Sequence, residues 1–494
     1  MSVLEKDHGI AESGDSPEKQ WSSTDDATGD RRLLRKVDLR LLPILTLLYL
    51  LSFLDRTNVG NARIIGLADD LKLSPPAYNT SLALYFVAYV IFEVPANIMQ
   101  PQTIQSPAVV TDIGVTVGNS QCLSRSGHEP GRAARNPFPA VLGVTEAGLF
   151  PGVIYVFSVY YRRFRGERSA RVAIFFGGAA LAGAFGGILA FAIGKMEGID
   201  GKRGWAWIFI LEGLLTVVVA FSAYFLVPTW SYKAKFLTEP ERERLLMRLR
   251  ADSDAANKEE FDWLFVKQAV KDHLVWGYAF LFHGFAFVLY SLSLFMPTII
   301  AGLGFESWQA QLMTVPPNTL AVISIAIATW ASIKYNQRAV IIIISAFIAI
   351  IGYIILLAAK TSGAQYLGVH FAAAGVYTGT ALLLSWPGEN VSGQTKRAVA
   401  VAMQITIGDI GAIAGVLIYR PEFSRNRYRK PHIIAIGYLL FAAAVSTYLW
   451  LRMSRENARR ERILSDESLA DQVSLDEKQR LILGDRDVHY RYVY

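Results

Sequence analysis

Eleven apolar stretches punctuate the chain, and nothing else in the sequence limits its possible folds so strongly. They fall at roughly 39–54, 80–99, 140–161, 172–194, 205–227, 274–299, 311–333, 339–359, 365–387, 398–419 and 433–451. A hydrocarbon core about 30 Å thick is spanned by about 20 helical residues. Inside it every backbone N–H and C=O needs an internal partner, so such stretches are read as helices. Charged residues make up only 18% of the chain and crowd into 1–40, 228–272 and 452–494. The reading is an all-α polytopic membrane protein.

Charge and cysteine usage narrow the function classes. The net charge of +7 sits in short loops beside apolar stretches, the positive-inside distribution of a membrane protein and not a nucleic-acid surface. The single cysteine, Cys122, excludes an internal disulfide and a cysteine metal site. Residues 1–30 are polar and offer no signal-peptide core. No HExxH, GxSxG, P-loop or Cys/His cluster occurs, so no enzyme, cofactor or metal is expected.

Loop charge then sets a topology. "YRRFRGERSAR", 161–171, carries five arginines against one glutamate and is expected on the cytoplasmic side. Arg31, Arg32, Arg35, Lys36 and Arg40 place the N-terminus there too. Only three apolar stretches separate the two, and an odd number puts them on opposite sides. An extra crossing is needed within 100–139, yet its best apolar run, Ala108 to Gly118, contains Asp112. An aspartate at mid-span costs about 2.5–3.5 kcal/mol on insertion scales. With that crossing the count is twelve, six on either side of a polar linker. The linker holds "TEPERERLLMRLRAD", a helix opened by a capping box, Thr238-x-x-Glu241. The expected organisation is a cytoplasmic tail 1–36, a six-helix bundle 37–229, a cytoplasmic linker 230–272, a second six-helix bundle 273–452 and a cytoplasmic tail 453–494. One loop runs against it: "YRPEFSRNRYRKPH", 419–432, is basic but falls outside.

Two halves of six helices around a long inner loop resemble a major facilitator superfamily transporter. "SFLDRTNVGNARI", "FEVPANI", "LGVTEAGLFPGVIY", "GWAWIFILEG", "LTVPP" and "TKRAVAVAMQI" are together similar to the fungal allantoate permease branch of its anion:cation symporters. The resemblance runs from Val37 to Arg460 with one gap, 101–139. Relatives carry there a basic loop, a third apolar helix and an arginine seven residues before the glutamate that matches Glu146. Here that position is Pro139, and the third helix is abnormal. A shifted reading frame or misplaced splice site across this stretch is the expected origin of the mismatch; if the stretch is genuine, the protein lacks a normal third helix.

The resemblance also implies a site. Asp55 and Arg56 close the first helix, and Arg56 is expected to receive the substrate carboxylate, its planar fork being suited to a bidentate grip. Asp55 and Glu146 are expected in proton coupling, with Glu93 as a further candidate. Asn58, Asn390 and Gln404 complete the expected substrate contacts. Glu212 reads as structural, and His283 as a packed core histidine. Glu389 and Asp409 stand where relatives tend to have asparagine. The glycine-rich runs "FFGGAALAGAFGGILAFAIG" and "GDIGAIAG" mimic a nucleotide loop but sit within apolar helices. Ala179, Gly183 and Gly187 form a small-residue stripe for close helix packing.

The function expected on this basis is proton-coupled uptake of a small organic anion, a ureide or vitamin carboxylate such as allantoate, nicotinate or pantothenate, by alternating access. The alternatives are a proton-coupled exporter of drugs or metabolites, and a non-transporting paralogue should 101–139 be genuine. The expected partners are a small carboxylate, a proton and the bilayer. The chain is expected to be a monomer without nucleic acid, multi-pass in the plasma membrane with both termini cytoplasmic.

Overall fold

The computed structural model describes residues 24–103, 142–144, 146–162, 166–227, 231, 234–250, 262–419, 423, 427–466 and 483–494. Among them each of the eleven apolar stretches is mainly helical, with breaks at 147–148 and 313–314. The first half holds α1 (Thr24–Ile64), α2 (Pro75–Thr103), α3 (Leu149–Tyr160), α4 (Glu167–Gly194) and α5 (Gly204–Leu226). Two short helices, α6 (Glu239–Arg250) and α7 (Trp263–Lys271), form the linker. The second half holds α8 (His273–Ala301), α9 (Ser307–Leu312), α10 (Val315–Tyr335), α11 (Arg338–Ala358), α12 (Ser362–Asn390), α13 (Gln394–Ile418) and α14 (Arg429–Ser465). Ten helices among the described residues are long and apolar enough to cross a membrane, and α2 is an eleventh long helix. Tyr85 lies beside Glu146, and Arg162 bonds the linker carbonyl of Arg248, so α2 and α3 run side by side toward the face carrying the chain termini. Residues 104–141 connect them; Pro139 and the extra crossing expected from the sequence lie outside the described residues.

The halves meet where α1 packs on α8, α2 on α13, and α4 on α9, α10 and α12. Small residues set these contacts. A side chain at Gly60 would strike the Leu294 carbonyl, and one at Gly187 would strike Thr314 and the Gln311 carbonyl. A Cβ at Gly183 would lie 2.7 Å from Asn318 Oδ1. The small-residue stripe is therefore a packing device between halves. In "GDIGAIAG", Gly411 and Gly415 let α13 approach the His283 and Phe287 carbonyls of α8.

Polar contacts tie the two ends of the molecule differently. On the face away from the termini, Ser307 Oγ donates to the Ile64 carbonyl at 2.8 Å and Asn79 Nδ2 to the Tyr419 carbonyl at 3.3 Å. Both bonds join one half to the other. On the terminal face the linker helix α6 docks on the first half through Lys36–Glu241 (2.6 Å), Arg244–Asp30 (2.7 Å) and Arg248–Glu167 (2.8 Å). Glu241 also accepts the Thr238 N–H at 2.8 Å, as the capping box requires.

The last residues, 483–494, fold back over the second half. Val493 accepts from Trp386 Nε1 and Asn390 Nδ2, both at 2.8 Å, and donates to Asn390 Oδ1 at 2.8 Å. Lys396 is buried between Asp272 (2.7 Å) and Asp485 (2.6 Å). Arg460 donates to the carbonyls of Tyr490 and Asp485 at 2.8 and 2.9 Å. This strap joins the ends of α12, α13 and α14.

Candidate functional site

Arg56 sits on α1, one turn beyond Ser52, against tyrosines of α2 and α8. Only 9% of it is exposed, so its charge needs a partner. The partner is Glu146, not its neighbour Asp55: Arg56 Nε donates to Glu146 Oε2 at 2.8 Å. Successive residues of a helix are turned about 100° apart, so they face different neighbours.

Local packing explains why Glu146 arrives at Arg56. Gly143, one turn earlier, lies against the Tyr85 carbonyl, which draws its helix onto α2. Tyr85 then donates its hydroxyl to Glu146 Oε2 at 2.7 Å. The Arg56 guanidinium lies 5.1 and 5.2 Å from the ring centres of Tyr85 and Tyr89, within cation–π range. From the other half Tyr290 accepts a long hydrogen bond from Arg56 Nη1, 3.4 Å. Tyr290 also packs on Phe86 and Phe53, with ring centres 4.7 and 6.4 Å away.

Beside this cation lies a cavity of about 20 Å³, room for about one water. Its wall includes Tyr49, Arg56, Tyr89, Phe150 and Phe176 from the first half, and Phe282, Leu289, Tyr290, Leu384, Ile405 and Asp409 from the second. Asp409 is 2% exposed, and its Oδ1 has no hydrogen-bond partner among the described residues. The centre is thus an aromatic chamber with one cation and one carboxylate on opposing halves, nearly closed.

The other expected site residues are distributed around it. Glu93 accepts from Thr406 Oγ1 at 3.1 Å, linking α2 to α13. Gln404 donates to the Leu383 carbonyl at 3.0 Å, and its Oε1 is without a partner. Asn58 is fully buried on α1, its Oδ1 accepting from Asn61 at 3.5 Å. Asn390 is not brought to the centre; both ends of its amide are taken by Val493. Glu389 pairs with Arg338 at 2.7 Å and does not face the cavity. His283 bonds the Ile407 carbonyl at 2.9 Å, a packing contact. Asp409, singled out in the sequence, stands in the chamber wall, and the tyrosines complete it without having been expected there. Tyr85, Tyr89 and Glu93 recur every four residues along α2, a one-face signal available in "YFVAYVIFE".

A helical membrane protein whose two halves close on one charged pair has the build of a transporter that opens to either side in turn. The chain belongs to the Major Facilitator Superfamily, whose model matches residues 137–416. It is 33% identical to an uncharacterized transporter of Schizosaccharomyces pombe over 93% of this chain and 90% of that one. It is 29% identical to the high-affinity nicotinic acid transporter of Saccharomyces cerevisiae, over 94% of this chain and 85% of the relative. In structure it resembles a bacterial homologue of the human lysosomal transporter Spinster in its inward-facing, occupied form. That match has TM-score 0.59 and 16% identity, and covers 83% of this chain and 96% of the other. The last comparison concerns the fold alone.

Proposed function

We propose that this multi-pass membrane transporter takes up a small organic anion, most simply a carboxylate, together with a proton. The observation that carries the reading is the single-point Arg56–Glu146 contact at the junction of the halves. Only Nε of the guanidinium is engaged by Glu146, and Nη1 has a long bond to Tyr290. An incoming carboxylate can take the fork that Glu146 holds at one corner. Protonating Glu146 removes its charge, leaves the Tyr85 hydroxyl as its partner and frees Arg56 for the substrate. Substrate on Arg56 reaches Tyr290 and the wall of the second half, which draws the halves together. Loss of the proton to the other side restores the Arg56–Glu146 pair and expels the anion.

Asp409 in the chamber wall and Glu146 on Arg56 give the centre two acids against one base, which disfavours a substrate with several negative charges. Nicotinate, the substrate in the name of the yeast relative, is a monoanion with an aromatic ring. Such a molecule suits a cation walled by tyrosine and phenylalanine. Plasma membrane location with both termini cytoplasmic fits uptake from outside.

The test is uptake of labelled nicotinate, allantoate and pantothenate by cells lacking their own carriers, at external pH 5 and 7.5. Accumulation of at least one, stimulated by acid outside and lost in Arg56→Ala, is the expected result. Accumulation of none, or uptake indifferent to Arg56, refutes the proposal. Efflux of preloaded cationic dyes would instead place the protein among exporters.

A further inference from the structure

The setting of Arg56 is repeated further along the same helix. Arg63 follows Arg56 by seven residues, which is two turns of α1 on nearly the same face and about 10.5 Å along its axis. The step leads toward the face away from the termini. α2 runs the other way, and its tyrosines repeat at the same interval. Tyr85 lies against Arg56, and Tyr78, seven residues earlier, lies against Arg63 with 4.4 Å from guanidinium to ring centre. α8 supplies a wall from the second half at both levels, Tyr290 at Arg56 and Phe295, 5.8 Å away, at Arg63. These guanidinium–ring distances are in cation–π range. Phe295 in turn stacks on Tyr419 with ring centres 5.3 Å apart, and Tyr419 lies 5.7 Å from Tyr428.

The two levels differ in what holds the cation. Arg56 carries Glu146, whereas Arg63 is paired with no carboxylate among the described residues, and its Nη1, shut off from solvent, has no hydrogen-bond partner among them. A guanidinium with an unused donor lacks only an acceptor, and a carboxylate supplies one. The surroundings favour an anion as well. The loop 419–432, which runs against the inside-positive pattern, carries Arg420, Arg425, Arg427, Arg429 and Lys430 against Glu422. Arg427, Arg429 and Lys430 are exposed, while Tyr428 among them is buried. Clustered cations raise the local concentration of an anion. We propose that Arg63, walled by Tyr78 and Phe295, is an outer receiving site for a small carboxylate, with the basic loop as its collecting rim. The anion enters when the Asn79–Tyr419 and Ser307–Ile64 bonds between the halves part, and then moves two turns along α1 to Arg56. The site extends the carboxylate-uptake reading above and rests on it for that onward step.

Arginine-directed labelling tests the site without any transport. The purified full-length protein is treated with hydroxyphenylglyoxal and mapped by mass spectrometry, with benzoate as the anionic probe and neutral benzamide as its control. Arg63 is expected to label, and benzoate but not benzamide is expected to slow the labelling. The protection is expected to persist when the inner pair is replaced by Arg56→Met with Glu146→Leu, which leaves no buried charge unpaired. An Arg63 that never labels is out of reach of an anion from solution and overturns the proposal. Labelling that benzoate leaves unchanged overturns it too, as does protection that disappears with the inner pair. In uptake, Arg63→Gln is expected to raise the half-saturating substrate concentration about tenfold, the weight of about one charge-assisted hydrogen bond, with maximal rate retained. A loss of maximal rate at unchanged half-saturation would make Arg63 a latch between the halves and overturn the site. If no carboxylate is carried at all, the uptake reading fails while the protection at Arg63 stands on its own.

Discussion

Among the described residues, each half of the molecule holds one arginine–glutamate pair buried at both side chains, and the two pairs have the same chemistry but different geometry. Arg56–Glu146 in the first half and Arg338–Glu389 in the second are both at least nine-tenths buried at the side chain, with contacts of 2.8 and 2.7 Å. Arg338 is held at two points, Nη1 to Oε2 at 2.7 Å and Nη2 to Oε1 at 3.0 Å, with Ser385 Oγ a further partner at 3.3 Å. Arg56 is held at one. Arg338–Glu389 is a finished fork-to-fork bridge within one half, next to the strap. Arg56–Glu146 leaves most of a guanidinium facing rings and a cavity at the junction of the halves. Burial of a charged pair is therefore no sign of function by itself. What distinguishes the two is how far the pair is saturated and whether both halves of the molecule meet at it.

The contrast is broken most severely by removing Arg338. Arg338→Ala leaves Glu389 buried without its cation, and the expected loss is about 3–5 kcal/mol of stability, read as a collapse of monodisperse protein on gel filtration. Replacing both members, Arg338→Met with Glu389→Leu, is expected to restore the elution profile, because an apolar pair of similar volume is close to neutral. Normal stability in Arg338→Ala would remove the structural role assigned to this pair.

Arg56→Lys probes the other member of the comparison. It keeps the charge and so the pairing with Glu146, but loses the planar fork. Thermal stability is expected to stay within about 1 kcal/mol, while carboxylate uptake falls about 100-fold, equivalent to about 2.7 kcal/mol. Uptake retained in Arg56→Lys would show that a point charge suffices and that the fork is incidental.

A smaller effect is expected at the contact between the halves. Tyr290→Phe removes only the long bond to Arg56, about 0.5–1.5 kcal/mol. Half-saturating substrate concentration is expected to rise about 2- to 10-fold with maximal rate nearly unchanged, as measured in an uptake titration. A loss of maximal rate alone would place Tyr290 in the closing motion instead.

The smallest effect concerns the strap beside the second pair. Burial raises the proton affinity of Asp485, an effect only partly offset by Lys396. An acid whose folded-state pKa lies above its unfolded value stabilises the docked form at low pH, and that contribution is lost as pH rises through the folded value. The strap is therefore expected to loosen on the alkaline side. Hydrogen exchange at residues 484–494 reports this directly, and Asp485→Asn is expected to flatten its pH dependence. Exchange that slows as pH rises, after correction for the intrinsic rate, would contradict the assignment.

How much of this was legible in the chain differs from one level to the next. Apolar length gave each helix, because backbone satisfaction in hydrocarbon allows no other spanning form for these stretches. Arg56 and Glu146 stood out for the same reason in reverse, since an ionisable side chain within such a stretch is costly to bury. Gly183 and Gly187 announced a close helix contact by their spacing, though not that the contact joins the two halves. Glu212, which sequence reading treated as structural, became conspicuous only in the fold, where neither of its buried carboxylate oxygens has a hydrogen-bond partner among the described residues.

Partnership was decided by the tertiary structure alone. Asp55 and Arg56 are covalent neighbours, yet among the described residues only Arg56 is bonded to Glu146. Asn390 and Gln404 are both amides on apolar helices, yet one is consumed by Val493 and the other stays near the centre. Arg56 meets Tyr290 across 234 positions of sequence, and nothing local encodes that meeting. The sequence by itself determined which segments are helical and which groups are costly to bury, because both follow from transfer of short stretches out of water. Only the fold decided which of those groups face one another, because helix rotation and the approach of two halves are set by packing over the whole molecule.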